Sequence, residues 1–287
     1  MATENFIEYS LLSPVLSVED FLKKNFNCSS NKLKKYFDKA FLKRSFEKHT
    51  TLRLPLNFVN DGKINPSYEG PPINIIYEDD VFLVMDKPQN LFVHPLVYDE
   101  KNNCLSFLRK NRWDILNINL LNYDRGLLYR LDFETSGVLV YIKNDREYLN
   151  LRHNFKNIAK KKMYYCLVEG ECSLNGAFTH YFSSKDIKGK KVIVSADETQ
   201  GEKGELILSS QSYDPVTKTT LMIVDLKTGL RHQIRAQLAH LGFPLRGDHF
   251  YGGSPAGRLY LHAYQYEINF LNKNYMFQAK LKDFKGL

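Results

Sequence analysis

The stretch RLDFETSGVLVYI, residues 130–142, carries the pattern that decides the fold of this chain. Its second half, residues 138–142, is an apolar run of the length expected for a buried strand. Its first half places a cation, Arg130, and a carboxylate, Asp132, two residues apart, and in an extended backbone both side chains project to one side. Active sites are often loops mounted on rigid strands, so the stretch predicts a functional loop followed by a core strand.

The composition indicates a folded, basic protein. The chain has 287 residues, of which 43% are hydrophobic, and a formal net charge of +8, which argues against global disorder and favours an anionic partner such as nucleic acid. The four cysteines form no CxxC pair and show no zinc-type spacing, so we expect structural thiols and no metal. No apolar run resembles a signal peptide or a membrane span, which predicts a soluble, cytoplasmic protein.

The character of the sequence changes near residue 70. Residues 1–70 carry two helix-start signals, and residues 32–48 combine many lysines with aromatic residues. Aromatic rings among cations suit RNA, but an amphipathic helix with its rings inside and its lysines in solvent gives the same pattern. Residues 59–64 (VNDGKI) predict a turn between two strands, and residues 69–72 (EGPP) predict a linker.

The remainder of the chain is strand-rich. The apolar runs predict strands over residues 81–85, 138–142, 163–168, 192–195 and 219–226, and helices over 104–111, 145–158 and 230–241. Because the helices are few and do not alternate regularly with the strands, this order favours an α+β domain over a βαβ repeat.

Two further segments could take part in chemistry. Residues 227–242 (KTGLRHQIRAQLAHLG) predict a turn, an amphipathic helix and a C-terminal glycine cap. Arg231 and Arg235 would then stand four residues apart on one helical face, where they could bind phosphate, pair with a carboxylate or remain ordinary surface cations. Within residues 162–170, strand alternation places Tyr164 on an apolar face, where it could stack on a base or fill the core.

These segments match, in order, the motifs of a known family. The matching residues are Asp86-Lys87-Pro88 with His94-Pro95, residues 129–137 against HRLDxxTSG, Lys162 with Tyr164 and Gly170, residues 229–252 against GRTHQIRxHLxxxGxPIxGDxxYG, and Leu261-His262-Ala263. Over roughly residues 73–270 the chain therefore resembles the RluA family of pseudouridine synthases, and several ordered motifs are more specific than any one. The resemblance implies a catalytic domain over 71–287 with a mixed, largely antiparallel β-sheet and few flanking helices. It also implies a small α+β RNA-binding domain of divergent alpha-L type over 1–70.

The resemblance also implies roles for individual residues. The protein would isomerise uridine to pseudouridine in structured RNA without a metal or a cofactor. Asp132 would be the catalytic aspartate, paired with Arg235, and would act either on the base or on the ribose. Arg130 would enter the RNA stack when the target uridine flips out, and Tyr164 would stack on the flipped base. The expected substrate-binding residues are Arg130, Tyr164, Arg231, Ile234 and Arg235.

Other functions stay open on the sequence alone. Large-subunit ribosomal RNA is the favoured substrate, with transfer RNA or a non-catalytic RNA-binding role as alternatives. A glycosidase would need two carboxylates, and Glu134 is the only near neighbour of Asp132. We expect a monomer with no obligate protein partner. The chain departs from the family motifs at Tyr129 and Gln237, where histidine is usual, and at Leu230-Arg231 in place of Arg-Thr, and these departures concern substrate contacts rather than the aspartate.

Overall fold

The chain folds into two compact units. The computed structural model describes residues 6–11, 13–26, 28–55, 58, 64–65, 67–95, 100–119, 124–183, 191–281 and 284. The units comprise Met1–Glu69 with His94–Arg125, and Gly70–Val93 with Gly126–Leu287. One division between them therefore falls in the stretch 69–72 that predicts a linker. Residues 94–125, which a single boundary near residue 70 assigns to the second domain, cluster with the first unit.

The first unit combines a small sheet with short, well-capped helices. Its described elements are β1 (Phe6–Ser10) and β2 (Thr51–Pro55), which pair antiparallel, and the helices α1 (Val18–Phe26), α2 (Ser30–Tyr36), α3 (Lys39–Leu42) and α4 (Cys104–Asn111). Helix α2 begins where the Ser29 hydroxyl accepts a hydrogen bond from the Lys32 amide at 3.2 Å. Helix α3 begins where Asp38 accepts one from the Phe41 amide at 2.7 Å. Each such cap contributes about 1 kcal/mol to helix stability.

Several aromatic residues of this unit pack against its core. The partly buried rings packed against the buried leucines include Tyr36, Phe37, Phe41 and Phe46, whereas the lysines at 34, 35, 39 and 43 are exposed. This arrangement is the one that the amphipathic interpretation of residues 32–48 predicts, and the RNA-stacking interpretation of the partly buried rings stays a prediction. The turn predicted over residues 59–64 lies outside the described residues except for its last residue, Ile64.

The second unit is built on one sheet. Its described strands are β3 (Asn74–Glu78), β4 (Phe82–Lys87), β5 (Ser136–Ile142), β6 (Ala159–Glu169), β7 (Asn175–Ser183), β8 (Ile193–Ser195), β9 (Glu202–Asp214), β10 (Thr219–Leu226), β11 (Leu261–Phe270) and β12 (Lys273–Gln278). They run in the order β3-β4-β5-β11-β6-β10-β9-β7-β8, with β12 also paired to β11. The β5–β11 pair is parallel and the others are antiparallel. With helices α5 (Asp145–Ile158) and α6 (Gln233–His240), this confirms the expected α+β class.

Strands β4 and β5 form the best-buried part of this sheet, because every residue of both is buried. Gly137, at the start of β5, has a φ of 115°, which favours glycine, and a Cβ at this position would overlap the carbonyl of Ala263 on β11. The adjacent Ser136 hydroxyl lies 2.9 Å from Nδ1 of His262 and accepts a hydrogen bond from Nη2 of Arg258 at 2.7 Å. These contacts fix the start of β5, and with it the loop that carries Asp132.

The predicted helix over 230–241 needs a correction. Helix α6 begins at Gln233, because His232 adopts a left-handed conformation with φ 51° and serves as its N-cap. Arg231 therefore precedes the helix and is exposed, whereas Arg235 lies within it and is fully buried. The prediction that these two arginines share a helical face is wrong. By contrast, the helices over 104–111 and 145–158 and the strand over 219–226 are confirmed with those bounds.

The cysteines of this chain are free thiols, and the helices of its described residues are short. All four cysteines are free, and Cys104, Cys166 and Cys172 are buried. Burial raises the pKa of the Cys166 thiol well above its usual range, which keeps it unreactive. Across the described parts of the chain, no helix is long and apolar enough to cross a membrane, and no three or more His, Cys, Asp or Glu side chains cluster as metal ligands would.

Candidate active site

A buried lysine hydrogen-bonds to the backbone of the loop that carries Asp132. Lys87, at the end of β4, is fully buried, and its ammonium group donates a hydrogen bond to the carbonyl of Phe133 at 3.1 Å. The same group donates to the carbonyls of Pro88 and Leu91 at 3.0 and 2.8 Å. Lys87 thus ties the segment after β4 to the residue next to Asp132. A buried ammonium with carbonyl partners of this kind orients backbone, so the loop has a defined shape.

Arg235 is the centre of the charged cluster at this loop. Its side chain is 2% exposed. The guanidinium donates two hydrogen bonds to Asp248, from Nε to Oδ2 at 2.7 Å and from Nη2 to Oδ1 at 2.9 Å. Its remaining terminal nitrogen, Nη1, donates to Oδ2 of Asp132 at 3.1 Å and to Oε2 of Glu134 at 3.3 Å. The bidentate grip of Asp248 fixes the guanidinium plane, and the fixed plane in turn positions Asp132.

The three carboxylates that contact Arg235 differ in how far they are exposed to solvent. The Asp248 side chain is fully buried, whereas the side chain of Asp132 is 26% exposed and that of Glu134 is 20% exposed. Burial alone lowers the pKa of Arg235, but the hydrogen bond and charge of Asp248, with the charges of Asp132 and Glu134, raise the pKa above its usual value. Arg235 is therefore a permanent cation, and Asp132 and Glu134 are the two carboxylates that both contact it and stay partly exposed, Asp132 slightly more so.

His232 is a second basic group at the aspartate. Its Nε2 lies 3.9 Å from Oδ2 of Asp132, and its Nδ1 lies 3.0 Å from the Tyr251 hydroxyl. Burial lowers the pKa of His232, while the charge of Asp132 opposes that shift and the charge of Arg235 adds to it. The imidazole is accordingly neutral at neutral pH. The sequence motifs alone assign no role to this residue.

Tyr164 lies close to the aspartate on strand β6. It is 5% exposed, and its hydroxyl hydrogen-bonds that of Tyr266. Burial raises the pKa of Tyr164 well above its usual range, the hydrogen bond to Tyr266 partly offsets this, and the charge of Asp132 adds to it. The phenol is therefore protonated at neutral pH. Both alternatives for Tyr164 survive, because a ring can close the floor of a pocket and still belong to the core.

Comparison with known proteins connects this geometry to a family. A family model described as RNA pseudouridylate synthase matches residues 81–240, which include the Asp132 loop and helix α6. The chain belongs to this family. The resemblance drawn from the ordered motifs is thereby confirmed.

Individual pseudouridine synthases share about a third of the matched residues. The ribosomal large subunit pseudouridine synthase D of Borreliella burgdorferi is 32% identical over 208 residues, covering 69% of this chain and 61% of that protein. The protein of the same name from Zymomonas mobilis is 28% identical over 193 residues, covering 66% of this chain and 60% of that protein. The chain therefore spans about three fifths of the length of these relatives.

Solved structures of the family share the fold. Human RNA Pseudouridylate Synthase Domain Containing 1 superposes with a TM-score of 0.58 at 19% identity, covering 73% of this chain and 84% of its own. Human RNA Pseudouridylate Synthase Domain Containing 4 gives a TM-score of 0.54 at 19% identity, covering 74% of this chain and 89% of its own. At these identities the likeness concerns the fold alone.

The site residues that the synthase motifs predict differ in their contacts and in their burial. Asp132 and Arg235 are in contact, as predicted. Arg130 is exposed two residues before the aspartate, and Arg231 is exposed two residues before the start of α6. Ile234 is buried within α6, at 4% exposure, which makes it a packing residue in this state. Arg130 and Arg231 are therefore open to a ligand, whereas Ile234 is covered.

The departures from the synthase motifs have local explanations. Tyr129, where histidine is usual, stacks on Tyr266 with ring centroids 4.3 Å apart and planes 3° apart, and its hydroxyl donates to the Val138 carbonyl at 2.9 Å. Gln237 donates to the Phe178 carbonyl at 3.2 Å and lies 2.9 Å from Nδ1 of His180. Each substituted side chain therefore links neighbouring elements of the unit.

Lys162 holds the segment that leads to His232. Its ammonium group donates to the carbonyls of Lys227 and Thr228, at 3.1 and 2.6 Å. Burial lowers the pKa of Lys162 to about 8. The lysine of this motif therefore anchors the turn before α6. The sequence did not reveal this role, because the two segments lie more than 60 positions apart.

Proposed function

We propose that this protein is an RNA pseudouridine synthase that isomerises specific uridines in large-subunit ribosomal RNA. The observation that carries the proposal is the partly exposed Asp132, bound to a buried and braced Arg235, within a chain of this family. The ribosomal substrate is inferred from relatives named as large-subunit ribosomal enzymes.

The reaction sets modest chemical demands. The bond between C1′ of the ribose and N1 of uracil breaks, a bond from C1′ to C5 forms, and the proton on C5 is exchanged for one on N1. No electrons are transferred and no water is consumed, so one carboxylate in a closed pocket is sufficient. Asp132 supplies that carboxylate, either by adding to the base or by taking a proton from the ribose.

The other site residues would serve base extrusion. An enzyme that works on a base in folded RNA must flip the nucleotide out, which costs a few kcal/mol in lost stacking. Arg130, exposed beside Asp132, would fill the gap left in the stack. Tyr164 would hold the flipped base by its ring face, a contact worth about 1–3 kcal/mol. Arg231 would meet phosphate. Replacing Arg130 with alanine should then slow single-turnover isomerisation, and an unchanged rate would contradict its role.

The first unit would bring RNA to the site. Its exposed lysines on α2 and α3 present cations without a matching set of aromatic rings, which suits contacts to phosphates more than to bases. Binding of this kind is electrostatic and weakens as salt rises. This supports an RNA-binding role for residues 1–70. Action as a monomer in the cytoplasm, without a cofactor, stays a prediction.

One observation bears on the glycosidase alternative. A glycosidase places its two carboxylates on opposite sides of the bond to be cleaved. Asp132 and Glu134 instead contact the same nitrogen of Arg235, at 3.1 and 3.3 Å, so they share one cation on one side of the loop. This arrangement supports the isomerase over a hydrolase.

A single assay tests the proposal. The full-length protein is incubated with uridine-labelled transcripts of large-subunit ribosomal RNA and, in parallel, of transfer RNA, and the nucleosides are separated after digestion. We expect pseudouridine in the ribosomal transcript. Pseudouridine in transfer RNA alone would reassign the substrate, free uracil would indicate a glycosidase, and unchanged uridine in every transcript would overturn the proposal.

A further inference from the structure

His232 occupies a costly backbone conformation beside Asp132. Its φ of 51° lies in the left-handed region, which is strained for a residue other than glycine. It is the N-cap of α6, yet its side chain makes no capping hydrogen bond. The conformation therefore serves the imidazole, which it directs towards Asp132 and Tyr251.

The contacts of Tyr251 and Asp132 together favour a proton on Nε2 of His232. The Tyr251 hydroxyl oxygen accepts a hydrogen bond from the Val192 amide at 3.0 Å and lies 3.0 Å from Nδ1 of His232. If the hydroxyl donates its single proton to Nδ1, the neutral imidazole carries its own proton on Nε2. The opposite tautomer would direct the lone pair of Nε2 at the carboxylate of Asp132, 3.9 Å away, and would be repelled.

Arg235 and His232 both approach the same carboxylate oxygen of Asp132. Nη1 of Arg235 lies 3.1 Å from Oδ2, and Nε2 of His232 lies 3.9 Å from Oδ2. The second distance exceeds a hydrogen bond, and catalytic hydrogen bonds often tighten only when the substrate is bound. Both of these approaches are to Oδ2, and the side chain of Asp132 is partly exposed.

We propose that His232 is a positioning residue for Asp132. In its neutral Nε2–H form, fixed by Tyr251, it shares Oδ2 with Arg235 and so presents Oδ1 of Asp132 to the substrate. This inference rests on the proposed isomerase. The charged and titratable groups around the ring are Asp132, Glu134, Arg231, Arg235 and Tyr251. Among the described residues, Tyr251 is the one that hydrogen-bonds Nδ1, so the tautomer depends on its hydroxyl.

The test combines kinetics with spectroscopy on the full-length protein. Single-turnover pseudouridine formation and RNA affinity are measured for His232→Asn, His232→Gln and Tyr251→Phe. Asparagine tolerates the left-handed backbone but is too short to reach Asp132, so we expect its rate to fall by about 10-fold to 100-fold with RNA affinity unchanged. Glutamine can place its amide where Nε2 lies and should recover part of the rate. His153→Asn, at an exposed position on α5, is the matched control and should retain the wild-type rate.

The spectroscopic arm reads the tautomer directly. In protein labelled with ¹⁵N-histidine, the ring correlations should show His232 neutral and protonated on Nε2, and Tyr251→Phe should mix the two tautomers. A proton on Nδ1, or a His232→Asn rate within twofold of wild type, would overturn the inference. Wild-type protein that forms no pseudouridine in any transcript would overturn the proposed function instead, so the two failures are distinguishable.

Discussion

Replacing Asp248 with asparagine is the most informative test of how the site is braced. The Asp248 side chain is fully buried and grips Arg235 through two bonds, of 2.7 and 2.9 Å. Asparagine keeps the volume and one acceptor oxygen, but its NH₂ group faces a guanidinium that also only donates. One charge-assisted bond is removed, and a buried cation loses its principal counter-charge.

The expected magnitude follows from those changes. A missing hydrogen bond to a charged group costs about 1.5–3 kcal/mol, and breaking a buried ion pair costs about 3–5 kcal/mol. Arg235 keeps its contacts to Asp132 and Glu134, so the lower end of the second range applies. We therefore expect Asp248→Asn to lower the free energy of unfolding by about 3 kcal/mol.

Urea denaturation followed by circular dichroism measures this change, with an unchanged slope indicating that only stability has altered. Lys203→Gln is the control, because Lys203 pairs with Glu205 where the two side chains are 55% and 42% exposed, and its midpoint should not move. A decrease below about 1 kcal/mol for Asp248→Asn would refute the view that Asp248 holds the guanidinium in place.

Three further predictions concern the sheet, a buried lysine and the first unit. Gly137→Ala should lower the free energy of unfolding by about 1–3 kcal/mol or more, from backbone strain and overlap with β11, whereas Gly257→Ala, which meets no atom within 4 Å, should be neutral; equal effects in urea denaturation would contradict this. The pKa of Lys162 is about 8 in the folded protein and 10.5 for an ordinary lysine, so this side chain binds more protons in the unfolded chain between these values, and its own contribution to stability should rise with pH across that window. Lys162→Met should lack this rise, and an identical pH dependence would argue against the buried ammonium. The double variant Lys34→Glu with Lys35→Glu should bind RNA more weakly, with a salt slope shallower by about one for each phosphate that is no longer neutralised; an unchanged slope would exclude these lysines from the interface.

The parts of the fold that the sequence predicts are those with local signals. Helices α4 and α5 carry their own asparagine N-caps and amphipathic patterns, and their bounds match the prediction. Strand β5 is apolar along most of its length because both of its faces are covered. Strands β7 and β9 were not predicted. Much of each is exposed, so their sequences lack a continuous apolar run.

In the candidate site, too, some features could be predicted from the sequence and others could not. Asp132 and Arg235 could be paired from their motifs, although 103 positions separate them. The contacts that hold these two residues in place could not be predicted, because each depends on a strand register that is set by the whole sheet. Lys87 reaches Phe133 across 46 positions, and the grip of Asp248 on Arg235 requires α6 and the following loop to fold back together. The helix start at residue 233 was missed because a left-handed histidine has no sequence signature.

The central claim is that Asp132 is the reacting group, and one comparison tests it most directly. Single-turnover pseudouridine formation on a large-subunit ribosomal transcript is measured for Asp132→Asn and for Glu134→Gln, with RNA binding measured on the same preparations. Both variants remove one carboxylate charge from the same nitrogen of Arg235, so they differ in chemistry more than in electrostatics. We expect Asp132→Asn to bind RNA and form no pseudouridine, and Glu134→Gln to remain active. Pseudouridine formation by Asp132→Asn at the wild-type rate would contradict the account.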